Sequence, residues 1–136
     1  MEGNSFEGEV PDALFSLTDI ISIRLTGNNG LVASLPEDLS QMSRLQDFLL
    51  GGVTTGGTIN DSLFQLTTLR ELDLSFTQVN GTLSEDISML QNLSILRLNN
   101  NTLTGTIPSG LASLTGLSKS PLSDVYVNMK YHEVGF

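Results

Sequence analysis

Residues 90–114 read LQNLSILRLNNNTLTGTIPSGLASL. In the run Leu96 to Asn99, apolar and polar residues alternate, the period of two of a strand with one buried face. Asn101 follows, where an amide side chain can satisfy backbone groups inside a bend. Gly105, two residues past Leu103, admits a positive φ or a close backbone approach. Ile107 and Pro108 close a second extended piece, because the residue before proline is itself held extended. Leu111 and Leu114, three apart, suit a short 3₁₀ or helical turn. One such segment cannot bury its own leucines; it needs copies of itself stacked against it.

The copies are present. Moving back by 24 residues gives Leu66, Leu69, Leu72, Leu74, Thr77, Val79, Gly81, Leu83, Ser84 and Ile87 in the same places. Another 24 gives Met42, Leu45, Phe48, Leu50, Val53, Thr55, Gly57, Ile59, Asn60 and Leu63. The next copy is one residue longer and reads Leu17, Ile20, Ile23, Leu25, Asn29, Leu31, Ala33, Leu35, Pro36 and Leu39. A half-copy fits the opening stretch through Met1, Asn4, Phe6, Gly8, Val10, Pro11 and Leu14. The repeats therefore occupy residues 1–117: a half repeat over 1–16, then coils starting near 17, 42, 66 and 90. Residues 118–136, SKSPLSDVYVNMKYHEVGF, leave the frame after Leu117 and are expected to form a divergent cap or tail, with DVYVNM as a diverged closing strand.

This unit resembles the plant-type leucine-rich repeat, LxxLxxLxLxxNxLxGxIPxxLxx, in which the Gly-x-Ile-Pro element marks the subtype. The resemblance implies an α/β solenoid: a right-handed superhelix with a parallel concave sheet and short 3₁₀ or helical turns on the convex side. It also implies a non-catalytic module that recognises a protein or peptide, similar to the ectodomains of receptor-like proteins and receptor kinases or to secreted inhibitors. Val53 and Thr77 depart from the pattern at the turn Asn, and Asn60 and Ser84 at the Pro, so looser turns are expected in the middle coils. Met1 falls on the last leucine of a strand whose beginning is missing, and no Cys-containing cap precedes it. The expectation is a chain that opens inside a repeat unit of a longer protein, with an N-terminal fold-back cap as the other option.

Composition narrows the function. With 6 basic against 15 acidic residues, net −9, a long basic groove for nucleic acid is not expected. No cysteine is present, which excludes a disulfide framework, a thiolate metal site and a Cys nucleophile. No stretch reaches the roughly 20 apolar residues of a membrane span, so membrane contact by this segment is not expected. His132, the single histidine, stands beside Glu133 in the tail, too little for a metal site or a catalytic dyad. No cofactor, metal or catalytic residue is expected.

The concave face carries function in leucine-rich repeat proteins, and its columns follow from the frame. They are Ser22, Asp47, Glu71, Ile95; Arg24, Leu49, Asp73, Arg97; Thr26, Gly51, Ser75, Asn99; and Gly27, Gly52, Phe76, Asn100. The expected ligand-binding residues are Ser22, Arg24, Asp47, Leu49, Glu71, Asp73, Ser75, Phe76, Ile95, Arg97 and Asn99. Asp47, Glu71 and Asp73 form an acidic patch flanked by Arg24 and Arg97, and Phe76 is an aromatic of the type that anchors interfaces. The bland reading is cross-strand charge pairing on a solvated sheet.

Asp12, Glu37, Asp38, Asp61, Glu85 and Asp86 stand where the helical turns begin. There a carboxylate complements the turn's positive end, so they read as structural and not as a calcium site. Four sequons, at Asn60, Asn80, Asn92 and Asn100, are candidate glycosylation sites and point to an extracellular or membrane-associated parent protein. Ser34, Thr58, Thr82 and Thr106 recur at one repeat position. With hydroxyls about 5 Å apart they would give an ice- or surface-binding ladder, the alternative function, beside a purely structural scaffold.

Overall fold

A computed structural model describes residues 3–117 and 125–126. The expectations placed on Met1, His132 and most of the tail lie outside the described residues. Among the described residues, nine short strands are interspersed with four 3₁₀ turns. The strands are β1 (Glu7–Glu9), β2 (Ser22–Arg24), β3 (Gly30–Val32), β4 (Asp47–Leu49), β5 (Glu71–Asp73), β6 (Asn80–Thr82), β7 (Ile95–Arg97), β8 (Thr102–Thr104) and β9 (Val125–Tyr126).

One parallel sheet, in the order β2-β4-β5-β7-β9, forms the long face of the stack. Its register matches the repeat: Ile23, Phe48, Leu72 and Leu96 are successive Cα partners, and all four are buried. Together with the other repeat leucines they belong to one continuous core. Val125 and Tyr126 pair with Leu96 and Arg97, so two residues of DVYVNM add a strand beside the last coil.

The opposite side is built from two smaller parallel sheets, β1-β3 and β6-β8. Bridges between Val32 and Thr54 and between Thr58 and Asn80 connect them to the second coil. Here the register is shorter than the repeat. Asn80 pairs with Thr102 and Thr82 with Thr104, an offset of 22 residues where the sequence repeats at 24. Each coil is therefore advanced two residues along its neighbour on this side.

The departures from the consensus are compensated locally. Asn60 and Ser84, standing where Pro11 and Pro108 begin other turns, cap their 3₁₀ segments, accepting from the Ser62 and Asp86 backbone N–H. The expected loosening at Thr77 is not found. Its Oγ1 donates to the Leu74 carbonyl at 2.7 Å, and Asn101 of the next coil supplies the remaining bonds. Val53 fills its place apolarly and is fully buried. The turn Asn of the longer coil is Asn28, not Asn29. Asn28 is buried and its Nδ2 donates to the Leu25 carbonyl three residues back, as Asn101 does to Leu98, whereas Asn29 is exposed. The additional residue falls after the turn Asn, not before it.

The carboxylates at the turns divide. Asp12, Asp61, Glu85 and Asp86 open 3₁₀ segments as expected. Glu37 and Asp38 do not, because the Leu39 N–H is taken by Ser62 Oγ and Asp38 Oδ1 accepts from the Ser40 N–H instead. Glu85 reaches into the next coil, accepting from the Gly110 and Ser109 N–H groups at 2.9 and 3.0 Å. Gly110 permits this approach: a Cβ there would lie 2.9 Å from the Glu85 carbonyl oxygen.

These backbone donors, Gly110 first and Ser109 second, hold the Glu85 carboxyl below its ordinary value of 4.5. A depressed folded-state pKa stabilises above the unfolded value and loses that contribution as pH falls through the folded one. Glu85→Gln is accordingly expected to lower the thermal midpoint at pH 7. As pH falls through the lowered folded value the gap to wild type should shrink towards zero, and thermal melts from pH 7 downwards check it.

Candidate functional site

The strands of the long sheet place the expected columns as cross-strand neighbours. Ser22, Asp47, Glu71 and Ile95 are successive Cα partners, as are Arg24, Leu49, Asp73 and Arg97. Backbone bonds from Gly27 to Gly51, Gly52 to Ser75 and Phe76 to Asn99 carry the alignment past the strand ends into the third and fourth columns. Because side chains alternate across a strand, the residues of the first three columns face away from the Ile23–Leu96 file.

Exposure separates members that the sequence treats alike. Ser22 and Arg24 are exposed, and Asp47, Glu71, Ile95, Arg97 and Asn99 are half-buried. Leu49, Asp73 and Ser75 are buried, so they are not open contact residues. The cause is Gly51, which has no side chain to occupy the space beside Asp73 and Ser75. A Cβ at Gly51 would lie 2.9 Å from Asp73 Oδ1 and 3.0 Å from Ser75 Oγ. The Asp73 carboxylate fills that gap and accepts from Ser75 through both N–H, at 2.9 Å, and Oγ–H, at 2.6 Å. Its other oxygen stands 3.7 Å from Arg97 Nη1. Asp47 is likewise engaged, with Arg24 Nη2 at 2.8 Å while Arg24 Nε donates to Ser22 Oγ. The acidic patch is thus two internal ion pairs plus Glu71, which has no ion pair among the described residues.

The fourth column has a shared conformation. Gly27, Gly52, Phe76 and Asn100 all have positive φ, at 81°, 87°, 57° and 57°. The turn out of the sheet demands this conformation, glycine meets it without strain and asparagine tolerates it. A bulky aromatic does not, yet Phe76 holds it with 59 % of its surface exposed. The frame placed Phe76 on this face; its backbone conformation was legible only by comparison with the glycines at the same repeat position.

The four sequon asparagines are exposed. Asn92 Nδ2 donates to the Thr67 carbonyl, and the Asn60 side chain caps a 3₁₀ turn. On the opposite side Ser34, Thr58, Thr82 and Thr106 are exposed, but the 22-residue offset makes them diagonal neighbours, not opposite ones. Their hydroxyls are therefore not set at the strand spacing by direct pairing. A cleft of about 760 Å³ opens at the N-terminal end of the core, lined by Phe6, Val10, Leu14, Leu17, Ile23 and Leu31. No group of three or more metal-ligating side chains occurs among the described residues. Likewise, no helix among them is long and apolar enough to cross a membrane.

Comparison with known proteins agrees with this geometry. Residues 68–90 and 92–114 match the family model described as Leucine Rich Repeat. No curated protein sequence matches the chain. Among solved structures, the chain is similar to the plant peptide hormone receptor RGFR1 in complex with RGF2. The TM-score is 0.75 at 29 % identity, over 95 % of this chain and 19 % of that one. It is similar also to the Arabidopsis receptor kinase HAESA in complex with the peptide hormone IDA and the co-receptor SERK1. There the TM-score is 0.75 at 29 % identity, over 84 % of this chain and 19 % of that one. A plant ice-binding protein aligns with TM-score 0.69 and 30 % identity, over 79 % of this chain and 35 % of that one. The chain spans about a fifth of the length of the two receptors.

Proposed function

We propose that this leucine-rich repeat solenoid, similar in fold to plant receptor kinase ectodomains, is a non-catalytic recognition module that binds a peptide or protein on its concave sheet. We infer further that its parent is an extracellular or membrane-associated receptor-like or secreted protein, glycosylated at one or more of Asn60, Asn80, Asn92 and Asn100. The observation that carries the reading is the register of β2, β4, β5 and β7. It aligns four coils' outward side chains into one surface with charges of both signs and an exposed aromatic. The receptors RGFR1, in complex with RGF2, and HAESA, in complex with the peptide hormone IDA, share the fold.

Panning a random peptide display library against the chain tests this. Clones that bind should lose at least about tenfold in affinity on a Ser22→Arg/Ile95→Arg double variant, which fills both ends of the first column with bulky cations. Thr82→Arg, on the opposite face, should leave them unchanged. No enrichment, or equal binding to the double variant, would refute the reading.

The second reading, adsorption to ice, draws on the similarity to a plant ice-binding protein and on the exposed threonines. The staggered register weakens it, since a regular lattice of hydroxyls is what such a surface requires. If it holds, Thr82→Arg abolishes any effect on ice-crystal growth while the concave double variant does not.

A further inference from the structure

Resting on the recognition reading, the geometry points to the class of ligand: we propose that the concave face selects an extended peptide carrying one cationic side chain for Glu71 and one apolar or aromatic side chain for Phe76. Two observations carry this independently, one electrostatic and one conformational.

The first is the disposition of charge. Asp47 is matched by Arg24 and Asp73 by Arg97 together with Ser75. Both pairs are closed within the sheet and offer a ligand little net charge. Glu71 lies between Asp47 and Ile95 in the first column, half-buried, with no ion pair among the described residues. A carboxylate beside a second carboxylate, with the arginines already committed, is a place where an incoming Lys or Arg replaces water instead of another protein cation. The whole chain's charge of −9 steers a basic peptide towards it.

The second is Phe76. Non-glycine residues in the left-handed region are held there against a conformational cost, and such outliers concentrate at functional sites. The coils on either side show that the turn needs no aromatic, because Gly52 and Asn100 make the same bend. The ring is mostly exposed, so core packing does not account for it either. Its neighbours in the column towards the N-terminus are Gly52, over which Asn29 Oδ1 lies, and Gly27, over which the Gly3 backbone lies, so a low polar ledge and no second bulky side chain borders the ring in that column. An extended peptide can cross the sheet over this ledge and set an apolar side chain against Phe76.

The test uses the library clones selected on the wild-type chain. Their consensus should contain a Lys or Arg and an aromatic or branched apolar residue. Phe76→Asn, which places the residue of the next coil in the same turn, should keep the thermal midpoint at or above wild type. It should weaken the clones roughly thirtyfold, the effect of losing an interface anchor. Glu71→Gln should weaken them about two- to fivefold at low salt and hardly at all near 0.5 M salt, where an exposed charge pair is screened.

Clones that bind both variants as wild type, or a consensus lacking either feature, would overturn the inference. A markedly lower midpoint for Phe76→Asn would also overturn it, by making the ring a structural residue. If the Ser22→Arg/Ile95→Arg variant still blocks those clones, the recognition reading stands and the ligand class alone falls. If that variant too leaves them bound, both fall.

Discussion

Leu72→Ala is expected to lower the free energy of unfolding by about 3 kcal/mol, with the denaturant slope little changed. Leu72 is the central residue of β5, is 1 % exposed, and stands between Phe48 and Leu96 in the buried file. Truncation removes three carbons from the contact between two pairs of coils and leaves a cavity that neither neighbour can close, because each is held by its own ladder of backbone bonds. In a stack whose stability is a sum of nearest-neighbour interfaces, that weakens the third coil against both partners. Ile95→Ala makes the control: it lies on the outward side of β7, is half-buried, and should lose about 1 kcal/mol or less. Equal losses for the two, measured by urea unfolding, would mean that the file from Ile23 to Leu96 is not the core.

That file was legible in the sequence because a period of two within each strand and of 24 between strands leaves one face and one register. The concave columns followed from the same arithmetic, residue for residue. What the frame did not carry was how deep each column member lies. Asp73, Ser75 and Leu49 share their columns with exposed residues, yet the gap at Gly51 draws Asp73 and Ser75 inward. A repeat pattern records residue types one coil at a time, whereas burial depends on what the adjacent coil omits.

The same distinction explains the opposite face. Repeat positions are 24 apart, but the pairing there advances by 22, which the repeat spacing does not record. The threonine ladder was read from repeat spacing alone, and the pairing places its members diagonally instead of opposite one another. Asn29 against Asn28 is a smaller case of the same kind: an insertion is visible in the length of a coil, and only the hydrogen bonds locate it. The turn at Thr77 shows the converse. The sequence suggested a weakness in that coil, and the missing amide is provided by the coil that follows.

Asn101→Ala is expected to be at least as damaging as Leu72→Ala, at about 4 kcal/mol, although it removes no apolar core atom. The buried Asn101 side chain binds two coils at once. Its Oδ1 accepts from the Thr77 N–H and the Val79 N–H at 3.1 and 3.2 Å, and lies 3.3 Å from the Thr77 hydroxyl oxygen, whose proton goes to the Leu74 carbonyl. Its Nδ2 donates to the Leu74 carbonyl at 2.6 Å and to the Leu98 carbonyl at 3.1 Å. Alanine leaves the two N–H groups and the Leu98 carbonyl without these partners in a buried place, each costing about 1–3 kcal/mol before water or relaxation recovers part of it. Graded replacements separate this from simple loss of volume. Threonine can repeat what Thr77 does in its own coil, donating to the carbonyl three residues back, but it cannot reach the preceding coil. Asn101→Thr should therefore lose clearly less than alanine. Asn101→Asp keeps the acceptor and loses both donors, turning a charged oxygen towards the Leu74 and Leu98 carbonyls, and should be the worst of the three at pH 7. The order Thr, Ala, Asp in urea midpoints is what an amide shared between coils requires. If alanine and threonine are equivalent, the bond to the Leu98 carbonyl contributes nothing; if alanine itself loses less than about 1 kcal/mol, the bonds to Thr77 and Val79 contribute nothing either, and the third and fourth coils are joined by their leucines alone.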